Sequence, residues 1–184
     1  MNGKLLIASD IHGSAYWCEK LLNAFKTEGA SRLVLLGDLL YHGPRNELPA
    51  DYDTKRVFAM LNAVKDKITA IRGNCDSEVD QMVLEFPCLA DYALIDDNGR
   101  TLFLTHGHLY DSEKPPLLKT GDILLNGHFH TPCRKPLANG GVYANCGSVS
   151  LPKDGTPHSY IIYENGALIW KDLETGEIFD RITL

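Results

Sequence analysis

The sequence predicts an α/β fold, and three observations carry that reading. Five apolar runs are continuous, two amphipathic stretches separate the first three of them, and the chain changes after Val142 to short β runs with tight turns. Continuous runs are what strands covered on both faces require, whereas a strand with one wet face alternates.

The runs are residues 5–8, 33–36, 68–71, 102–104 and 123–125. From Ala15 to Glu28, Leu21, Leu22 and Phe25 recur at helical spacing, and from Thr54 to Lys65 Val57, Met60, Leu61 and Val64 do the same. The first half therefore predicts β-α-β-α-β. Later, residues 160–163, 167–172 and 178–183 are short β runs punctuated by "ENGA" and "ETGE", which predicts an antiparallel meander. The stretch from Leu39 to Asp53 is polar, rich in proline and too long for a tight connection, so it is expected to be a functional loop or a tolerated insertion.

A length of 184 residues suits a single domain, 1–184, with a core large enough to need no staple. Net charge of −6 gives no basis for broad binding to nucleic acid or to a membrane surface, and no apolar stretch approaches a membrane span. The five cysteines are scattered and contain no Cys-x-x-Cys pair, so a reducing, cytoplasmic setting is expected rather than a disulfide framework.

Every core run ends in residues able to hold a metal: "SDIHG", "GDLLYHG", "GNCDSE", "THGHL" and "NGHFHTP". Asp10 and His12, two apart, project to the same side of an extended segment, and Gly13 lets the chain turn away. Asp38 interrupts an apolar run, where a lone carboxylate is costly unless a cation or hydrogen bonds compensate it. Asn74 offers an amide oxygen and Asp76 can orient its neighbours, while His106 and His108, then His128 and His130, alternate directly after strands. Each motif alone has a plain alternative as a cap, polar turn or packed ring. Together Asp10, His12, Asp38, Asn74, His106, His128 and His130 exceed one tetrahedral ion, and their mixed N/O character suits manganese, iron or zinc over calcium. Two cations about 3.5–4 Å apart are the natural expectation.

Order and spacing of these blocks resemble the calcineurin-like metallophosphoesterase superfamily, with its D-x-H, G-D, G-N-H-[D/E], single histidine and G-H-x-H signatures. The resemblance runs from Asp10 to His130, and "NCGSVSLPKDG" is similar to the tail of the small bacterial branch. It implies a four-layer αββα sandwich of two mixed β-sheets flanked by helices. It further implies Asp10, His12 and His130 on one divalent metal, Asn74, His106 and His128 on the other, and Asp38 bridging. Manganese is the first expectation, with Zn2+, Fe2+ or Mg2+ as alternatives. The implied reaction is hydrolysis of a small phosphodiester by a metal-bridging hydroxide.

One departure lies inside the third block, where Cys75 stands in place of the family's histidine. A thiol can donate a weak hydrogen bond but cannot bring an imidazolium's charge to the transition state, so leaving groups that need no proton are expected to be preferred. Cys75, Asp76 and His108 are the catalytic candidates. Arg45 and His42 are the candidates for substrate binding, and Tyr16, Trp17, Tyr41 and Phe129 flank the ligand blocks as stacking candidates. A phosphomonoesterase or nucleotidase with the same site, or a non-catalytic interaction scaffold of the same fold, are the alternatives. No nucleic-acid partner and no membrane are expected, and homo-oligomerisation is left open.

Overall fold

The computed structural model describes residues 3–184. Strands β1 (Leu5–Ala8), β2 (Arg32–Leu35) and β3 (Ile68–Ala70) are parallel and joined through helices α1 (Ala15–Thr27) and α2 (Thr54–Asn62), as the first half of the sequence predicts. Ser14 and Asp53 cap the two helices by accepting the amides of Trp17 and Arg56. The expected helix to Lys65 ends at Asn62: Val64 leaves helical geometry at φ −124° while still packing on the core, and a 3-10 turn at Lys65–Lys67 follows.

The first sheet has six strands. The meander β9 (Ser159–Glu164), β10 (Ala167–Asp172) and β11 (Ile178–Thr183) joins it antiparallel to β1, giving the order β11-β10-β9-β1-β2-β3. The second sheet has five, ordered β4-β5-β6-β8-β7, from β4 (Tyr92–Asp97), β5 (Arg100–Thr105), β6 (Ile123–Asn126), β7 (Cys133–Pro136) and β8 (Val142–Asn145). Strands β5, β6 and β8 run parallel, and β4 and β7 are antiparallel edges, so both sheets are mixed. A short helix α3 (Glu78–Gln81) follows the third ligand block.

The continuous apolar runs now have their cause. Leu5, Ile7, Val34 and Leu36 face Leu102, Leu104, Ile123 and Leu125 across the inter-sheet core. Leu6, Ala8, Leu33 and Leu35 point the other way, onto Trp17, Leu21, Phe25, Val57 and Leu61 of the helices. At about 25 cal/mol per Å2 of apolar surface, burying such side chains supplies the main drive for the layering. The sandwich of two mixed sheets is thus as predicted, with helices outside the six-stranded sheet. Over the five-stranded sheet the outer layer is built by the loop between β5 and β6, which lays Tyr110 and Leu118 on Phe103, Leu124 and Tyr143.

Parallel β1, β2, β3, β5, β6 and β8 deliver their carboxyl ends to one rim. At the opposite rim lie hairpin turns at Asn98-Gly99 and Asn165-Gly166, where all four residues have positive φ, as a type I′ turn demands.

Candidate metal centre

All five ligand blocks meet at the carboxyl rim. Nine non-glycine residues among those described have positive φ, and five of them are Asp10, His12, Asp38, His128 and His130. Left-handed backbone costs a branched or bulky side chain on the order of 1 kcal/mol each, and such conformers concentrate where a site needs them. Here the turn bends each side chain inward from its strand end.

The candidate ligand atoms form two abutting groups. Asp10 Oδ1 lies 3.2 Å from His130 Nε2 and 3.5 Å from His12 Nε2, and the two Nε2 atoms are 3.3 Å apart. His106 Nε2 lies 3.1 Å from Asn74 Oδ1 and 3.2 Å from His128 Nδ1. Asp38 stands between the groups, with Oδ2 at 3.7 Å from His12 Nε2 and 3.4 Å from His106 Nε2. His12, His106 and His130 each donate from Nδ1 to a backbone carbonyl, of Tyr41 (2.8 Å), Leu36 (2.7 Å) and Leu151 (2.6 Å). These bonds fix the tautomer and leave every Nε2 lone pair pointing at the carboxylates, the arrangement that metal-holding imidazoles show.

Asp10 Oδ1 is buried and accepts no hydrogen bond among the described residues. Burial alone would raise the Asp10 carboxyl, but His106, His12 and His130 outweigh it and hold it well below the usual carboxylate range. Burial would likewise lower His106, yet Asp10 and Asp38 push it up to about 9. The cluster therefore demands positive charge. His128, by contrast, is lowered to about 4 by burial and by His106, so it presents a neutral imidazole. Buried carboxylates, an amide oxygen and converging imidazoles fit divalent cations of the manganese, iron and zinc kind.

Asp76 is buried behind the ligands and accepts the amides of Gly73 (2.7 Å), Asp38 (2.7 Å) and Leu39 (2.8 Å), lacing the second and third blocks together. Burial and the Asp38 charge raise it to about 6. Asp38 Oδ1 in turn accepts the Cys75 amide at 2.8 Å. Gly73 and Gly127 are sterically required: an added Cβ would meet Asp38 Oδ1 at 2.0 Å in the first case and Ser9 Oγ at 2.0 Å in the second.

Cys75 faces the site, with a ligand atom close to those of His12 and Asp38. Burial first, then the Asp38 charge, push its thiol far above the ordinary value. His108 is half-buried with its ring 5.5 Å from that of His106, and burial and His106 lower it. A cavity of about 350 Å3 opens in front of the cluster, lined in part by Arg45, Asn46, Cys75, Phe129 and Lys153. Arg45 and Phe129 are thus brought to the site. His42 is not on the lining and packs edge-on between Tyr41 and Tyr52, and Trp17 is buried, stacked on His158 at 3.5 Å.

Sequence reasoning missed Asn46 and Lys153 on the lining, and missed how the "SVS" segment works. Ser148 and Ser150 both donate from Oγ to the Asp10 carbonyl at 3.0 Å, and His130 reaches Leu151 just beyond. The likeness of "NCGSVSLPKDG" marks the segment, but residue type alone does not say which carbonyl its serines reach.

A model of the calcineurin-like phosphoesterase superfamily domain matches residues 4–166. Phosphodiesterase YfcE of Escherichia coli strain K12 is 48% identical over 182 residues, 98% of each chain. The solved structure of Yfce, described as a phosphoesterase from E. coli, superposes with a TM-score of 0.94 at 45% identity over 98% of both chains. Vps29 of Entamoeba histolytica, solved with Zn2+, shares the fold at a TM-score of 0.62 and 18% identity, over 97% of this chain and 98% of that one. With candidate ligands at its strand ends and this family match over most of its length, the chain belongs to the calcineurin-like phosphoesterase superfamily.

Proposed function

We propose that the chain is a metal-dependent phosphodiesterase that binds two divalent cations, manganese first, and hydrolyses a small phosphodiester. The observation that carries this is the convergence of seven ligand side chains, with three Nδ1 groups tied to backbone carbonyls and Asp10 Oδ1 buried without a hydrogen bond. Near-full-length likeness to phosphodiesterase YfcE supports the diester. The inter-sheet core shared by both sheets supports one domain, and five free cysteines support a reducing, cytoplasmic setting.

Asp10, His12 and His130 would hold one cation, Asn74, His106 and His128 the other, with Asp38 serving both. When bound, the cations supply positive charge for the phosphoryl oxygens and an activated water at neutral pH. Cys75 acts as a weak donor and not as the nucleophile, because the cations would already supply an activated water. Asp76 acts as a positioning residue, because three backbone amides occupy its carboxylate. His108, beside His106 but not on the cavity lining, is the candidate for a proton-donating role.

The test is hydrolysis of an activated aryl phosphodiester and the matching monoester by EDTA-stripped protein, with manganese, magnesium, zinc or nothing added back. Metal-restored cleavage of the diester with little monoester turnover is expected. Dominant monoester turnover would make the chain a phosphomonoesterase, and bound metal without any hydrolysis would make it a scaffold.

A further inference from the structure

Arg45 and Lys153 line the active-site cavity from separate loops, one after β2 and one after β8. Both are exposed, and among the described residues neither side chain has a hydrogen-bond or ion-pair partner. Asp38 is the lone carboxylate on that lining. Each loop is tied to a metal-ligand candidate. His12 donates to the Tyr41 carbonyl and Asn46 to the His42 carbonyl at 2.7 Å, which holds the turn carrying Arg45. The Lys153 amide donates to the His130 carbonyl at 3.2 Å, and Thr131 Oγ1 donates to Asp154 at 2.8 Å, which holds the other.

Two divalent ions against Asp10 and Asp38 leave two positive charges, which one proton lost from the activated water and one singly charged diester offset. Arg45 and Lys153 then add two more in a chain whose net charge is −6. A second phosphate would supply the counterpart, and the planar fork of Arg45 suits it. The cavity, about 350 Å3, holds one nucleotide-sized group, and Phe129, 43% exposed, offers a ring face on its lining.

We propose that Arg45 and Lys153 form a clamp for a second phosphate, so that the substrate is a phosphodiester carrying a further phosphate on one arm, with a flat ring of that arm on Phe129. This rests on the phosphodiesterase reading and assigns its substrate class.

The test uses the full chain loaded with manganese. Calorimetric binding of adenosine 3′,5′-bisphosphate and of adenosine 5′-monophosphate gives a readout independent of turnover. The bisphosphate is expected to bind at least about tenfold tighter, one charge-assisted contact being worth about that factor. That ratio should fall to near one in the Arg45→Ala/Lys153→Ala double variant and return with Lys153→Arg on the Arg45 background. In parallel, p-nitrophenyl esters of adenosine 5′-phosphate with and without a 3′-phosphate should differ in KM by a similar factor, with kcat little changed. Equal affinity for the two probes in the wild type overturns the clamp, as does a ratio that survives in the double variant. Clamp-dependent bisphosphate binding with neither diester hydrolysed would sink the phosphodiesterase reading alone. Hydrolysis of both diesters at equal KM would sink the clamp alone.

Discussion

Replacing Gly73 with alanine should disable the site while leaving the fold largely intact. A Cβ at this position would sit 2.0 Å from Asp38 Oδ1 and 2.4 Å from the Asp38 amide nitrogen, with no left-handed backbone strain to confuse the outcome. Ordinary carbon–oxygen contact needs about 3.3 Å, so the carboxylate or the backbone beside it must retreat by more than about 1 Å. Overpacking of this kind costs about 1–3 kcal/mol of stability. The effect on chemistry is larger, because a metal–oxygen bond of about 2.0–2.2 Å does not stretch by that amount and a misplacement of about 1 Å costs roughly a hundredfold in rate. The retreat also breaks the bond from the Cys75 amide to Asp38. Thermal unfolding of the chelated proteins reads the first effect, and manganese-dependent diester hydrolysis with direct metal titration reads the second. Gly176→Ala is the control: its φ is +76° but its Cβ meets nothing, so it should lose about 1 kcal/mol of stability and no activity. Gly73→Ala protein that keeps wild-type metal affinity and turnover would refute the steric argument.

Cys75→Ser should retain hydrolysis of activated aryl diesters, and Cys75→His should raise turnover of esters with poor leaving groups by about tenfold or more, since a positioned general acid is worth at least that. Loss of all hydrolysis in Cys75→Ser would restore the thiol as nucleophile. Chelation should lower the melting temperature by roughly 5–10 °C per site relative to protein in a hundredfold excess of metal over Kd, and an unchanged melting curve in differential scanning calorimetry would count against a metal centre. Burial tends to raise Glu28, but Lys171, Tyr160 and Lys4 lower it overall. Its contribution to stability is therefore present above the unfolded carboxylate pKa and lost as pH falls through the lower folded value. Glu28→Gln should cost about 1 kcal/mol at pH 7 by urea unfolding, with the gap closing toward pH 3; a gap that widens in acid would reverse the sign.

Five of the six parallel strands and the meander were legible because both faces of β1 and β2 are covered and their runs are unbroken; the sixth, β8, "VYAN", is short and mixed and was not. Strand β4 was not, since its exposed Tyr92 and Leu94 alternate over a short edge, although Asn98-Gly99 marks the hairpin that makes it. Strand β7, "CRKP", hides as a polar edge with a proline, where the ladder needs no further donor. Seven ligand candidates could be read because alternating Asp and His residues after apolar runs are chemically conspicuous. What escaped was support: whether Ser148 reaches the Asp10 carbonyl or Lys153 reaches the cavity depends on how two distant strands end side by side. The inward bend of five ligand candidates at positive φ is also invisible in residue type alone, because Asp and His adopt such a backbone more often than most residues and yet mostly do not.

The two Asn-Gly hairpins sit across the full length of the strands from the metal-ligand rim. No ligand candidate lies in either turn; Gly166 is buried and accepts the Leu184 amide, whereas Asn98-Gly99 is an exposed connection of the kind that accepts extra residues. The molecule thus comes with a built-in handle: a reporter peptide, an immobilisation tag or a fluorescent domain spliced between Asn98 and Gly99, both exposed, would leave the cavity mouth facing freely into solution.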